Sequence, residues 1–530
     1  MVSAKEKDTN HYNKSTSGAS TSVKIPSYAW KVLAVLSLVA TMVMYAETML
    51  IPAIPDLIKD FRTSYSMSSW ILTAYLVSGA VMTPIAGKLS DIYGKKKILL
   101  IIMAIYTIGV STAGFANNIY FMLVARAIQG IGMSMFPIAF SIVRDQFPRE
   151  KMSIGQGVIT SMFASGAVIG LSVGGTIIQH FGWQATFFTI IPISISLLIV
   201  IWRFINVNEN EYVKQQPLHL QQQADKKSSI INLKSRNNDN NSYTKISSNK
   251  TIDVKGALTL AATITSFLLV LTFLETGSDN SSTQLVIGFL AIAVVSLSLF
   301  IVVERRAASP LIDFKMLLDK TLLPANILIM IIGLSMFMVF QTIPILVRSP
   351  IPIGFGESAT NTGNVQLPFA LVLLVFGPTS GFIISKLGSL RPIMIGTIIS
   401  AAGFIGLLIL HQTEIEISAS LAILSAGLSL TSVGTMNVII LSTPKQYTGI
   451  SLGTSMLMRI VGSAIGPAVA GMYMQSNQSI LIIGGITRFF PSTESYNLIF
   501  LTAAIVSIVG IVVATLLRQR VRKIAIPNVV

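Results

Sequence analysis

Residues 87–97 read GKLSDIYGKKK. One carboxylate, Asp91, stands between Gly87 and Gly94, and Lys88, Lys95, Lys96 and Lys97 surround it. On each side lies an apolar run, at 68–87 and 97–116. About twenty helical residues rise roughly 30 Å, the thickness of the hydrocarbon core of a bilayer. A short lysine-rich turn between two such runs reads as a loop at the cytoplasmic surface of a membrane. The pattern extends outward in both directions and gives fourteen candidate spans between residues 28 and 517.

Composition agrees. Of 530 residues, 52% are hydrophobic and 11% are charged, and the mean hydropathy is +0.70. Soluble domains carry roughly 25% charged residues, so most of this surface is expected to face a lipid bilayer. The formal net charge of +16 needs no nucleic acid. With a cytoplasmic N-terminus and alternating spans, Lys59, Arg62, Arg348 and Arg488 fall outside and Arg126 and Arg459 fall within spans. The rest of the 38 Lys and Arg lie on the cytoplasmic side, which is the positive-inside distribution. Cysteine is absent, so disulfides and thiolate metal sites are excluded. Residues 1–24 lack an apolar core, so the first apolar run reads as a span and not as a cleaved leader.

The expected fold is all-α: a polytopic membrane protein with about fourteen transmembrane helices, in two six-helix bundles plus two inserted helices. The divisions are a cytoplasmic tail at 1–27, a first bundle at 28–203 and a flexible cytoplasmic loop at 204–253. An inserted helix pair at 254–306, a second bundle at 307–517 and a basic cytoplasmic tail at 518–530 follow. The loop is rich in Gln, Asn, Ser and Lys, too polar to build a core. It reads as a linker, with a regulatory or partner-binding segment as the other reading.

An internal repeat supports the two bundles. Gly157, Gly166, Gly170, Gly174 and Gly175 are answered, at a constant 296 positions, by Gly453, Gly462, Gly466, Ala470 and Gly471. Pro84, Gly87, Gly94 and Lys97 are answered at 294 positions by Pro378, Gly381, Gly388 and Arg391. Duplicated helical bundles are a common transporter plan, with the substrate path between the halves.

The loop at 87–97 resembles the signature G-x-L-(A/S)-D-x-x-G-(R/K)-(R/K) of the major facilitator superfamily, through Gly87, Leu89, Ser90, Asp91, Gly94, Lys95 and Lys96; Ile92 stands where many members have Arg. The fourth span is similar to that superfamily's fourth-helix motif at Arg126, Gln129, Gly130, Gly132 and Pro137. The fifth resembles the motif G-x8-G-x3-G-P-x2-G-G of the drug:proton antiporters at Gly157, Gly166, Gly170, Gly174 and Gly175. Leu171 replaces its proline, which the repeat counterpart keeps as Pro467. Fourteen spans point to the larger antiporter group, whose first helix commonly carries an Asp. Here YAETMLIPAIP puts Ala46 at that position and Glu47 beside it. The resemblance implies a gating loop around Asp91 and efflux of a small organic molecule against protons. It also suggests that Asp91 meets the start of the thirteenth span, near Thr448–Ser451, when the cytoplasmic side is closed.

Glu47 is the carboxylate placed deep in a span, and an intramembrane acid is a functional candidate by default. It is the candidate for proton coupling; the structural alternatives are an ion pair with Arg126 or Arg459, or a hydrogen bond to a neighbouring helix. The two arginines are candidates to tune Glu47 or to contact substrate, and Arg126 is also near enough to the outer interface to snorkel. No phosphate-binding G-x-x-x-x-G-K-(S/T) loop is present, so ATP is not an expected partner. No metal, cofactor or enzymatic constellation is expected either. The competing functions are an uptake symporter or uniporter for a small metabolite, and a non-transporting sensor or scaffold.

The charge distribution generates a test of topology. In right-side-out vesicles a membrane-impermeant thiol reagent is expected to label Cys placed at Thr413 and not Cys placed at Asn240. Labelling at Asn240 sinks the assignment of the loop and both termini to the cytoplasm.

Overall fold

The computed structural model describes residues 24–50, 53–63, 65–205, 253–275, 280–307, 310–357, 359–444, 447–483 and 486–524. The expected loop at 204–253 and the N-terminal tail therefore fall largely outside the described residues, whereas the C-terminal tail expected from 518 continues the last helix to Ile524. Among these residues fourteen helices are long and apolar enough to cross a membrane.

In the first bundle, α1 spans Ser27–Thr48, α3 Tyr65–Tyr93, α4 Lys95–Ala113, α7 Met152–Phe181 and α8 Trp183–Phe204. The fourth span is built from α5, Ile119–Gly130, a 3-10 turn at Ile131–Ser134 and α6, Met135–Gln146. The tight turn falls where Gly130 lies against the Tyr75 carbonyl and Gly132 against the Tyr106 ring, contacts that a Cβ would obstruct. The first apolar run is shorter than its hydropathy suggests. Helix α1 ends at Thr48, and a short amphipathic helix α2, Ile54–Phe61, follows. Pro55 falls in the first turn of α2, where a proline is tolerated because its missing N–H has no helical partner there. Trp183 Nε1 donates to Asp60 Oδ2 at 2.9 Å and ties α2 to the start of α8.

The inserted pair is α9, Val254–Glu275, and α10, Asn280–Arg306. They pack on each other, while α10 turns most of its surface outward. A one-turn helix α11, Phe314–Leu317, leads into the second bundle of α12, Leu322–Arg348, α13, Ala359–Leu387, and α14, Leu390–Ile409. Helices α15, Glu414–Ser442, α16, Thr448–Ser476, and α17, Thr493–Ile524, complete it. Thr413 and Glu416 form a capping box at the start of α15, which satisfies two of the N–H groups orphaned there. Helix α9 touches both α3 and α16, so the insertion lies along the seam between the bundles.

The repeat is visible in backbone conformation. Gly94 and Gly388, related by the 294-residue offset, have φ of 95° and 74° and make the same tight turns, α3 to α4 and α13 to α14. Only glycine adopts such values without strain. One element was not anticipated: a hairpin of β1, Gln478–Ile483, and β2, Ile486–Pro491, precedes α17. Two β-rich runs joined by Gly484 and Gly485 are a hairpin signal that a reading by hydropathy alone passes over.

The glycines do two different jobs. Gly166, Gly170 and Gly174 of α7 press on Thr41, Tyr45 and Met49 at α1, and their counterparts Gly462 and Gly466 of α16 press on Met330 and Leu334 of α12. These contacts lie within one bundle. Gly157 instead meets the Gly377 carbonyl of α13, and Gly453 meets Thr83 and Pro84 of α3, so each crosses to the other bundle. Gly175 and Gly471 are half-buried. The division predicts distinct phenotypes. Overpacking costs about 1–3 kcal/mol, so Gly462→Ala should lower the thermal midpoint of the purified protein. Gly157→Ala should leave that midpoint closer to wild type and loosen the contact between bundles, read as a longer distance between spin labels at Arg149 and Leu387.

Candidate functional site

Two groups of side chains lie on the interface between the bundles. The first is at the end that carries Gly87–Lys97. Helix α3 runs so close to α16 that Gly87 and Gly449 touch carbonyl to Cα, with no room for a Cβ on either. That approach brings Asp91 to the beginning of α16, where Gly449 N donates to its Oδ1 and Ile450 N to its Oδ2, each at 3.1 Å. This is the contact the sequence reading expected. A helix N-terminus carries unpaired N–H groups and about half a positive charge, and a carboxylate there gains about 0.3–1 kcal/mol, up to roughly 2 when partly buried. Such a contact ties the two bundles together at this end.

Neighbouring charges brace it. Lys95 pairs with Asp145 and also donates to the Ser141 carbonyl at 3.3 Å, fixing α4 to α6. Lys96 donates to the Trp202 carbonyl at 3.0 Å. Arg144, at the end of α6, crosses to the second bundle: it donates to the Thr443 carbonyl at 2.7 Å and to the Thr448 hydroxyl. The sequence reading passed over Arg144, because it looks like one more basic residue at a cytoplasmic helix end. On the symmetry-related side, Ser153 Oγ donates to the Gly381 carbonyl at 2.7 Å.

The second group lies farther along the interface. Arg126 is fully buried and does not snorkel. Its NH1 donates to the Ala46 carbonyl at 3.0 Å and to Gln129 Oε1 at 2.9 Å, and its Nε donates to the Ile71 carbonyl at 3.3 Å. Its guanidinium also lies 4.5 Å from the Tyr75 ring centroid. Glu47 is buried in the last turn of α1. Its Oε2 has no hydrogen-bond partner, and neither arginine is within ion-pair distance of it. Both arginines act on it through space. Arg459 is buried on α16, with its guanidinium 4.2 Å from the Phe163 ring centroid and its Nε without a hydrogen-bond partner. Nearer the first group, Gln156 on α7, beside Gly157, is buried with both amide atoms unpartnered.

Thus one carboxyl group with an unpartnered oxygen and two guanidinium groups share a site away from water. The carboxyl is chemically able to gain and lose a proton; the guanidiniums keep their charge. Phe163 and Tyr75 belong to this site and were not singled out from sequence, since an aromatic residue on an apolar helix carries no local signal.

The chain matches the profile of the Major Facilitator Superfamily over residues 36–372 and 327–528. It is 24% identical over 444 residues to the multidrug transporter protein MdtP of Bacillus subtilis, covering 83% of this chain and 74% of that one. It is 28% identical over 436 residues to multidrug resistance protein 3 of the same organism, covering 80% and 75%. The tetracenomycin C resistance and export protein of Streptomyces glaucescens is 25% identical over 450 residues, covering 84% and 76%. The crystal structure of the human organic anion transporter MFSD10 superposes with a TM-score of 0.59 at 14% identity, over 92% of this chain and 100% of that one; it shows the shared fold.

Removing the Asp91 charge should loosen the contact with α16. Asp91→Asn gives up about 1–2 kcal/mol and should raise the population with this end open by about 5–30-fold. Double electron–electron resonance between labels at Arg149 and Leu387 reads it directly, and an unchanged distance distribution refutes the contribution assigned to Asp91.

Proposed function

Since the chain belongs to the major facilitator superfamily, we propose that it is a proton-coupled exporter of small organic molecules, working by alternating access with both termini in the cytoplasm. The observation that carries the reading is Glu47: a buried carboxyl on the bundle interface whose Oε2 has no hydrogen-bond partner and whose neighbours are cations outside ion-pair distance. A carboxylate kept only for structure is hydrogen-bonded or paired when buried. One left with an open oxygen is available to a proton arriving from either side.

The seal supplies the other half of the cycle. With α3 clamped to α16 and α7 to α13 at one end, the site is closed on the side assigned to the cytoplasm. Proton entry then comes from the opposite side, and opening the seal exchanges the proton for substrate. The names of the multidrug relatives support export over uptake. The multi-pass architecture, with its seal between two bundles, supports transport over a sensor or scaffold role.

A proton driven by 100 mV carries about 2.3 kcal/mol, roughly a fiftyfold concentration ratio. In reconstituted vesicles, wild-type protein should use a pH gradient to concentrate a drug-like dye. Glu47→Gln, which keeps shape and removes titration, should abolish accumulation and retain dye exchange without a gradient. Accumulation that persists in Glu47→Gln rejects the coupling role, and a wild-type protein indifferent to the gradient rejects the exporter reading.

A further inference from the structure

The two buried arginines are held in opposite ways. Arg126 donates three hydrogen bonds and lies on Tyr75, all with partners in its own bundle. Arg459 has its backbone fixed and its head group loose. Its carbonyl lies against Gly333 of α12, where a Cβ would not fit, and accepts from Ser463 Oγ at 2.9 Å. Its guanidinium rests on the Phe163 face, and its Nε is unpartnered. The anchor therefore belongs to the second bundle and the aromatic face to the first. Phe163 is in turn held edge-on by Phe136, at 4.6 Å between centroids.

An unneutralised guanidinium is costly on an apolar interface, and the cation–π contact offsets only part of that cost. Phe163 lies one turn along α7 from Ala167, whose carbonyl accepts from the Thr48 hydroxyl at 2.8 Å, and Thr48 adjoins Glu47 on the first bundle, so the Phe163 face that holds Arg459 is close to the Glu47 carboxyl. Around Glu47, Tyr75 from α3 donates to the Val43 carbonyl at 3.2 Å, Arg126 from α5 donates to the Ala46 carbonyl at 3.0 Å, and Arg459 comes from α16 across the Phe163 ring. Helix α7, packed along α1, brings no titratable side chain there, since its His180 lies at its exposed far end. Of these neighbours only Arg459 is both charged and carried by the second bundle.

We propose that Arg459 is the positioning residue that transmits the protonation state of Glu47 across the interface between the bundles. While Glu47 is a carboxylate, its charge draws the guanidinium and, through the rigid packing of α16 on α12, the whole second bundle onto the Phe163 face. When Glu47 takes up a proton the attraction is lost, and the second bundle is released. The proposal rests on the reading of Glu47 as the proton site and adds the part that moves in response.

The test follows bundle movement in the full-length protein in lipid nanodiscs. Spin-label pairs at Arg149 and Leu387 report the sealed end, and pairs at Asn117 and Gln412 report the other. In wild type, going from mildly alkaline to mildly acidic pH should shift the ratio of the two distance populations by about fivefold or more. Arg459→Gln should reduce that shift to less than about twofold, and Arg459→Lys should restore most of it. In a Glu47→Gln background, Arg459→Gln should change nothing further. A merely structural arginine would move the populations equally at every pH. A full pH response in Arg459→Gln overturns the proposal and leaves Glu47 as the proton site. A full response in Glu47→Gln overturns both.

Discussion

Everything at the sealed end depends on two backbones being allowed to touch. Gly87 on α3 and Gly449 on α16 meet without side chains, and this approach sets how far Asp91 stands from the N–H groups it accepts. In a bilayer there is no hydrophobic gain from bringing helices together, so close packing and directed polar contacts supply the association energy. A methyl group on either glycine removes both at once. The charges of the loop are then additions to a contact that already exists.

The repeat shows how one helical motif serves two purposes. At corresponding positions of α7 and α16, the first glycine faces the other bundle and the later ones face the leading helix of their own bundle. The within-bundle contacts keep α1 with α7 and α12 with α16 as rigid pairs. The cross-bundle contacts lie nearer the sealed end, about two turns from the middle of each helix. Groups placed just beyond them, Phe163 and Arg459, are held near the interface by rigid backbones and lie on opposite sides of the seam.

Much of this was legible in the sequence. The span count came from hydropathy and length, the repeat from glycine spacing, and the partner of Asp91 from the family resemblance and the repeat. What was not legible depended on rotation about helix axes and on tertiary neighbours. Nothing in the local sequence distinguishes Arg126, which donates to two carbonyls and to Gln129, from Arg459, resting on a ring. Arg144 reads like any topogenic cation until the second bundle is placed opposite it. The end of α1 at Thr48 was missed because the sequence stays apolar past it, through Met49, Leu50 and Ile51.

The two seals are related by symmetry in backbone but not in chemistry. Where α3 carries Asp91, the corresponding position of α13 is Ser385, which donates to its own helix at the Phe382 carbonyl. One flank of the closure is thus fastened by charge to a helix end, and the other by a single hydroxyl from Ser153. The α7–α13 flank is otherwise held by backbone packing, Gly157 against Gly377 and Gly381 against Ser153 and Ile154. Salt and pH therefore act on one flank of the closure and leave the other untouched.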